Sequence, residues 1–222
     1  MKINHRRLSL IIMVLIIILF TLRAVYGEET AQEEFTLSAE QKAEIAGIDK
    51  KYNQFISVRS RFIQRDSLGN VAHGWFVLEK PNKLRVEYDN IPIRFIAGGS
   101  NLLYQDIKLK QKSFIPIKST PFYYLLDNKA SFLNEDIKIV GFESTDDFIK
   151  ITLVSAKAPA MGSLSLFLSK DSAQILKWDV LDAKGIRTEI YLSNPEFSNT
   201  KIANSAIFNT QRIKEVDFAE AK

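Results

Sequence analysis

Two predicted β-strands at residues 73–88 constrain the fold more than any other stretch of this 222-residue chain. The second strand, from Leu84 to Asp89, alternates strictly between apolar and charged side chains. A period of two is typical of a strand with one face on an apolar interior and the other in water. The first strand contains Trp75-Phe76-Val77-Leu78, so both of its faces are apolar. One of these faces therefore needs a second cover, for which we expect a helix.

Two helical segments can supply that cover. Ser38 and Gln41 match a capping box, which predicts a helix that starts there and ends near Ser57. Its apolar side chains recur at helical spacing and form one stripe, made of Ile45, Ile48, Tyr52 and Phe55. The second segment, residues 120–126, carries a proline in its first turn and predicts a short helix that includes Phe122, Leu125 and Leu126.

Most of the remaining chain consists of predicted strands joined by hairpin-length turns. These strands cover residues 59–66, 72–80, 84–89, 93–98, 102–106, 108–114, 137–141, 148–154, 164–169, 174–182 and 186–193. Short connections between many strands favour one antiparallel sheet that curls, and with the helices this predicts an α+β fold. In the strand at 108–114, Lys108, Lys110 and Lys112 are expected on one solvated face at a sheet edge.

The N-terminal residues have the layout of a secretory signal peptide. Lys2, Arg6 and Arg7 precede an apolar run, Leu8–Phe20, and small residues precede a cleavage position after Gly27. The run is shorter than the ~20 residues that a membrane-spanning helix needs. The sequence thus predicts a signal peptide at 1–27, a flexible leader at 28–37, one domain at 38–222 and a periplasmic location.

Charge and composition argue against several classes of function. The chain has 30 basic and 26 acidic residues, but residues 1–27 contain four of the basic and none of the acidic ones, which leaves 26 of each. A net charge near zero does not favour nucleic acid as a partner. Without cysteine and with His73 as its one histidine, the mature chain lacks the groups for a histidine-based dyad or a multi-histidine metal site. We expect a monomer without cofactor or catalytic residues, although catalysis by a carboxylate pair remains open.

The apolar side of the curled sheet has two interpretations. It is either an ordinary packed core or the wall of a cavity for an apolar ligand, which two amphipathic helices would close. The pattern of residues alone does not distinguish them.

Several motifs follow one another in a characteristic order, namely Phe62-Ile63-Gln64, Gly74–Leu78, Lys80–Tyr88, Phe95–Gly99 with Leu103-Tyr104, Thr120-Pro121-Phe122, and Trp178-Asp179 to Tyr191-Leu192. Their order and spacing resemble the LolA family of periplasmic lipoprotein carriers over nearly all of the mature chain.

The resemblance implies a single-domain unclosed antiparallel β-barrel with short helices as a lid over a hydrophobic cavity. It implies a carrier that takes triacylated lipoproteins from an inner-membrane ABC transporter and delivers them to an outer-membrane receptor. The residues expected to contact acyl chains are Trp75, Val77, Leu84, Val86, Tyr88, Phe95, Tyr104, Phe122, Leu125 and Leu126.

The chain departs from the family pattern at two places. Lys80 stands where members carry an arginine that latches the closed lid, and a lysine lacks the planar fork of that guanidinium group. Leu84 and Val86 stand where many members carry aromatic residues. Besides the carrier, the sequence allows an envelope-sensing or protein-binding module of the same architecture, and a hydrolase that uses carboxylates.

Overall fold

The first helix of the computed structural model, α1 (Ala39–Tyr52), starts at the predicted capping box. The Gln41 backbone N–H donates to Ser38 Oγ at 3.2 Å, and the Ser38 N–H donates to Gln41 Oε1 at 2.9 Å. The helix ends at Tyr52 and not near Ser57 as expected, because Asn53 caps it through its backbone N–H and its side-chain amide, both bonded to the Asp49 carbonyl.

The structure describes residues 35–120, 123–127, 129–213, 215–216, 218–219 and 221. The predicted signal peptide and residues 28–34 of the predicted leader lie outside these ranges. In the described part of the chain, eleven strands follow α1, namely β1 (Ser57–Asp66), β2 (Val71–Glu79), β3 (Lys83–Tyr88), β4 (Ile93–Gly98), β5 (Asn101–Asp106), β6 (Gln111–Pro116), β7 (Ile137–Ser144), β8 (Phe148–Ser155), β9 (Gly162–Ser169), β10 (Ile175–Asp182) and β11 (Arg187–Ser198). A one-turn helix, α2 (Tyr123–Leu126), lies between β6 and β7, and three 3₁₀ turns cover Ile117–Ser119, Pro159–Met161 and Ser205–Phe208.

All strands belong to one antiparallel sheet in the order β6-β5-β4-β3-β2-β1-β11-β10-β9-β8-β7. Each strand pairs with its neighbour in sequence, except at the centre, where β1 pairs with β11. Among the described residues the edge strands β6 and β7 do not pair with each other. The sheet is therefore an unclosed barrel, as the sequence predicts, and the stretch that contains α2 connects its two edges.

The inner face of the sheet and α1 share one core. Ile45, Ile48 and Tyr52 of α1, together with Phe55, are buried in the same apolar cluster as the inward side chains of the strands. The predicted stripe therefore covers the inner face of the sheet. This core spans almost every strand, which explains how a chain without cysteine maintains its fold by burial.

The outer face of β2, β3 and β4 is covered by the chain that follows β11, which we call the C-terminal segment. Trp75 and Val77 of β2 pack there against Ile207 and Phe208 of that segment. The second cover of β2 is thus the C-terminal segment, in which Ile207 and Phe208 belong to a 3₁₀ turn, and not one of the two helical segments expected from the sequence. The Gly98 Cα makes the close approach possible, because a Cβ at this position would lie 2.3 Å from the Phe208 carbonyl oxygen.

The sequence predicts that the charged face of β3 lies in water. The C-terminal segment covers this face, so the prediction is wrong. Arg85 is fully buried, its Nη1 donates to the Ile207 carbonyl oxygen at 3.0 Å, and its Nε donates to Glu87 at 2.8 Å. Burial raises the pKa of Glu87, while Arg85 and Arg94 oppose that shift. Arg94 also bonds Glu215 of the C-terminal segment at 2.9 Å.

The predicted lysine row is only partly in a strand. Strand β6 begins at Gln111, whereas Lys108 and Lys110 lie in the β5–β6 turn, which Asp106 stabilises by accepting a hydrogen bond from the Leu109 N–H at 2.8 Å. Lys110 has a positive φ of 55°, which interrupts the alternation that the sequence suggests. The lysines are exposed, but they do not form one strand face.

Candidate functional site

The concave inner face of the sheet encloses an apolar cavity between the two halves of the barrel. Its wall consists of side chains from β1, β2, β3, β4, β5, β10, β11 and α2, namely Phe62, Gln64, Phe76, Leu78, Leu84, Val86, Tyr88, Phe95, Leu102, Leu125, Ile175, Trp178 and Ile190. Hydrocarbon and aromatic groups dominate this wall. It therefore suits an apolar ligand or ligand segment.

Strand register determines which face of β2 lines the cavity. In the β2–β3 hairpin, Phe76 lies opposite Val86 and Leu78 opposite Leu84, so these four side chains share the inner face. Val77 lies opposite Arg85, and Trp75 opposite Glu87, on the outer face. The expectation that Trp75 and Val77 line the cavity is therefore wrong, and Phe76 and Leu78 take their places. Counting back from the turn at Pro81 would have assigned these faces, because paired residues share a side of the sheet.

Five of the predicted contact residues line the cavity, namely Leu84, Val86, Tyr88, Phe95 and Leu125. Tyr104 is partly buried beside the wall, with its ring centroid 5.5 Å from that of Phe95. Leu126 is fully buried in the inner core, and Phe122 lies outside the described residues. The sequence prediction missed Phe62, Gln64, Leu102, Ile175, Trp178 and Ile190. Alternation along β1, β10 and β11 indicates an inner face for most of them, but alternation alone does not show which inner positions border a cavity.

The cavity is small in this conformation. The space open to the centre of a water molecule is about 50 Å³. A single water-sized group occupies about 10–15 Å³ on this measure, so the cavity holds only a few such groups. An acyl chain would enter only after the wall has moved apart.

The last two carbonyl groups of the short helix α2 accept hydrogen bonds from a side chain of α1 and from the backbone of the β2–β3 turn. Tyr52 Oη of α1 donates to the Leu125 carbonyl oxygen at 2.9 Å. The Asn82 N–H, in the β2–β3 turn, donates to the Leu126 carbonyl oxygen at 2.9 Å. Since the Leu125 side chain belongs to the cavity wall, these two donors hold part of that wall in place.

The end of α1 also forms hydrogen bonds with the chain that follows α2. Asn53 forms a reciprocal pair with Ala130, in which Nδ2 donates at 2.8 Å and Oδ1 accepts at 3.0 Å. Asp49 accepts from the Ser131 hydroxyl group at 2.9 Å and from the Phe132 N–H at 3.1 Å. Burial raises the pKa of Asp49, and these two donors oppose that shift. These bonds join the final turn of α1 to the chain that follows α2.

Lys80, the predicted lid latch, lies buried beneath the end of α1. Its Nζ donates to the Tyr52 carbonyl oxygen at 2.8 Å and lies 4.0 Å and 3.8 Å from the ring centroids of Tyr52 and Phe55. Burial lowers the pKa of Lys80 to about 7, and the Asp127 carboxylate opposes this. Lys80 therefore contacts α1, and it reaches α2 through Tyr52.

Few polar groups interrupt the cavity wall. Tyr88 Oη donates to Gln64 Oε1 at 2.9 Å, and burial raises the pKa of the Tyr88 phenol. The Trp178 indole N–H is buried and has no hydrogen-bond acceptor among the described residues. The described residues of the wall include no charged side chain.

Other kinds of site are not indicated in the described residues. They contain no group of three or more His, Cys, Asp or Glu side chains that could hold a metal ion. No helix among them is both long and apolar enough to cross a membrane. His73 is exposed at the start of β2.

Comparison with known proteins gives one family. The model of the family described as "Outer membrane lipoprotein carrier protein LolA" matches residues 53–210. No curated protein matches the sequence.

Solved structures with the same fold have little sequence identity to this chain. A DUF1329 family protein from Desulfovibrio piger has a TM-score of 0.50 at 11% identity and covers 78% of this chain and 97% of its own. A putative outer membrane lipoprotein-sorting protein domain from Vibrio parahaemolyticus has a TM-score of 0.48 at 16% identity, over 78% of this chain and 98% of its own. A LolA superfamily protein from Nitrosomonas europaea has a TM-score of 0.45 at 10% identity, over 75% of this chain and 98% of its own.

Proposed function

The chain belongs to the LolA family of outer membrane lipoprotein carrier proteins, and from this membership we propose that it is a periplasmic carrier of lipoproteins. In this proposal residues 1–27 are a signal peptide that is removed on export. The cargo is a triacylated lipoprotein, received from an inner-membrane ABC transporter and passed to an outer-membrane receptor where one exists. The protein performs no chemistry on its cargo.

The observation that carries the proposal is an apolar cavity whose wall includes Leu125 of the one-turn helix α2. The described bonds to the last carbonyl groups of α2 come from Tyr52 and Asn82. Breaking these bonds allows Leu125 to move away from the wall while the sheet remains intact. A carrier needs such a movable wall because it must both take up and release its cargo.

The energetics favour a carrier that opens reversibly. Burial of one methylene group is worth about 0.8 kcal/mol, so several acyl chains in a fully open cavity would bind too tightly for release. The closed cavity of about 50 Å³ must expand to accept them. Expansion separates packed apolar groups, and its cost subtracts from the affinity. Transfer to a receptor then requires only a modest difference in affinity.

We assign the acyl contacts to the inner-face residues of the cavity wall. From the predicted set these are Leu84, Val86, Tyr88, Phe95 and Leu125, and to them we add Phe62, Phe76, Leu78 and Trp178. We assign to Lys80 an indirect part in lid closure, through its contacts with Tyr52.

A transfer assay tests the proposal. Inner-membrane vesicles that hold the transporter and a triacylated lipoprotein are incubated with ATP and the purified mature protein, and lipoprotein in the soluble fraction is measured. The Leu84→Glu variant places a carboxylate in the cavity wall, where an unpaired charge opposes an apolar ligand, so we expect it to lose transfer while it remains folded. The matched control, Leu176→Glu, changes a leucine that is 45% exposed on β10, and it should transfer normally.

Two results would contradict the proposed carrier function. One is a wild-type protein that releases no lipoprotein from the vesicles and binds no acylated peptide. The other is a stable complex with an envelope regulator that forms equally well in the Leu84→Glu variant, which would favour the protein-binding module instead.

A further inference from the structure

Trp178 belongs to the cavity wall, and its buried indole N–H is a donor without an acceptor among the described residues. Trp178 is only 7% exposed. Buried tryptophan N–H groups normally have a partner, because an unpaired buried donor loses its hydration without compensation. Because Trp178 belongs to the cavity wall, a ligand that moves this wall apart can supply the missing partner.

The surrounding sheet fixes the indole in place. Trp178 pairs in register with Ile190 of β11 and with Leu166 of β9, so its side chain points to the inner face. Its ring meets the ring of Phe76 edge-on, with centroids 5.7 Å apart and an interplanar angle of 77°. A donor held between two neighbouring strands and an aromatic ring is preorganised, so its hydrogen bond to a ligand costs little side-chain entropy.

The neighbouring polar group supports a ligand that accepts hydrogen bonds. Gln64 lies in the same row of the sheet, separated from Trp178 by Ile190. Gln64 Oε1 already accepts a hydrogen bond from Tyr88 Oη. The group of this amide that can bond a ligand is therefore its NH₂ group, which is a donor like the Trp178 indole N–H. The wall therefore offers donors at two positions and no charged side chain.

Hydrogen-bond donors that have no positive charge beside them suit an uncharged acceptor. A phosphate or carboxylate group in this wall would be a buried, unpaired charge, which is far more costly than a buried carbonyl group. Hydrocarbon alone would leave the Trp178 donor unpaired. The group that fits is the carbonyl oxygen of an ester or amide at the head of an acyl chain.

We propose that Trp178 donates a hydrogen bond to an acyl carbonyl group of the bound lipid and thereby makes the cavity selective for acyl over alkyl chains. This inference rests on the proposed carrier function, which supplies an acylated ligand for the cavity.

Two synthetic lipopeptides test it. Both carry a glyceryl-cysteine head with two sixteen-carbon chains, attached by ester bonds in one and by ether bonds in the other, so they differ in their carbonyl groups. Their affinities are measured by displacement of an apolar fluorescent dye from the mature protein. We expect the ester lipopeptide to bind the wild type about tenfold more tightly.

The Trp178→Phe variant keeps an aromatic ring and removes the donor, so it should bind the two lipopeptides with equal affinity. The control is Trp75→Phe on the outer face, which should keep the preference for the ester. The same comparison can be made without a variant in the cavity. The chain has two tryptophans, so an ¹⁵N-labelled wild type gives two indole signals, and the signal of Trp178 should shift downfield with the ester but not with the ether.

The outcomes separate the two proposals. One outcome is that both lipopeptides displace the dye equally well from the wild type, with the same response of the Trp178 signal. This result would contradict the hydrogen bond from Trp178 to an acyl carbonyl group, but it would not contradict the carrier function. If neither lipopeptide displaces the dye, the carrier function itself fails.

Discussion

Tyr52 Oη, at the end of α1, donates a hydrogen bond to the carbonyl oxygen of Leu125, whose side chain lines the cavity. This bond joins the two helices that cover the inner face of the sheet. Tyr52 is fully buried, and burial raises the pKa of its phenol, so the donor keeps its proton at all ordinary pH values. The bond is therefore a fixed part of the closed state.

Removing this donor should loosen the lid. The Tyr52→Phe variant leaves the Leu125 carbonyl oxygen without its partner, which we expect to lower the free energy of unfolding by about 1–3 kcal/mol. It should also take up an apolar dye faster, because opening starts from a less stable closed state. Urea unfolding and stopped-flow dye binding measure the two effects. The control is Tyr191→Phe on the outer face of β11, and equal dye uptake by both variants would contradict a lid role for Tyr52.

Lys80 should make stability depend on pH. Its pKa is about 7 in the folded protein, because burial lowers it from 10.5. Between these two values the unfolded chain holds the proton that the folded chain has lost, so unfolding takes up a proton. The free energy of unfolding should therefore rise with pH in this range, by up to about 1.4 kcal/mol per unit, and the unfavourable burial of the charge is fully present below pH 7.

The measurement is urea unfolding between about pH 7 and about pH 9.5, compared with a Lys80→Met variant. The variant should lose this rise, whereas Lys108→Met in the exposed β5–β6 turn should keep it. A rise of the same size in Lys80→Met would assign the pH dependence to other groups.

Arg85 should anchor the C-terminal segment to the outer face of β3. The Arg85→Ala variant leaves Glu87 without its closest cation and the Ile207 carbonyl group without a donor. Loss of one partner from a buried ion pair costs about 3–5 kcal/mol, and we expect a loss of this order in urea unfolding. The exposed Arg187, changed to alanine, serves as control. A loss below about 0.5 kcal/mol for Arg85→Ala would show that the segment is held by other contacts.

Two glycine substitutions should have opposite effects. In Gly98→Ala the new methyl group would lie 2.3 Å from the Phe208 carbonyl oxygen, so the C-terminal segment must shift and limited proteolysis after β11 should become faster. In Gly47→Ala of α1 the new methyl group meets no described atom within 4 Å apart from the helix's own backbone and its chain neighbours, and the better helix former should raise the free energy of unfolding by about 1 kcal/mol. Equal proteolysis of the Gly98→Ala variant and the wild type would contradict the close contact.

The sequence predicts the curled antiparallel sheet and the start of α1 because both depend on neighbours in sequence. The capping box at Ser38 identifies the start of α1, and the alternation at Leu84, Val86 and Tyr88 identifies the inner face of β3, because both are local patterns. The end of α1 is harder to predict, because Phe55 continues the helical spacing of the apolar stripe after the helix has stopped at Tyr52.

The two faces of β2 cannot be distinguished by hydrophobicity. Both are buried, one by the cavity wall and one by the C-terminal segment, so Trp75–Leu78 carries no period of two. The burial of Arg85 depends on Ile207 and Phe208, more than one hundred residues further along the chain, and no local pattern shows it. The Trp178 indole N–H has no acceptor among the described residues, and only the three-dimensional structure shows this, not the sequence.

The pairing of β1 with β11 links the order of synthesis to the time of folding. Ser57 lies beside Ser198 in the centre of the sheet, so the two halves of the barrel cannot join until the chain has been made as far as β11. If the chain crosses a membrane from its N-terminus, β1 emerges early with one edge unpaired and waits for the last strand. During that interval we expect a need for protection from proteases and from aggregation, since an open strand edge pairs readily with other chains.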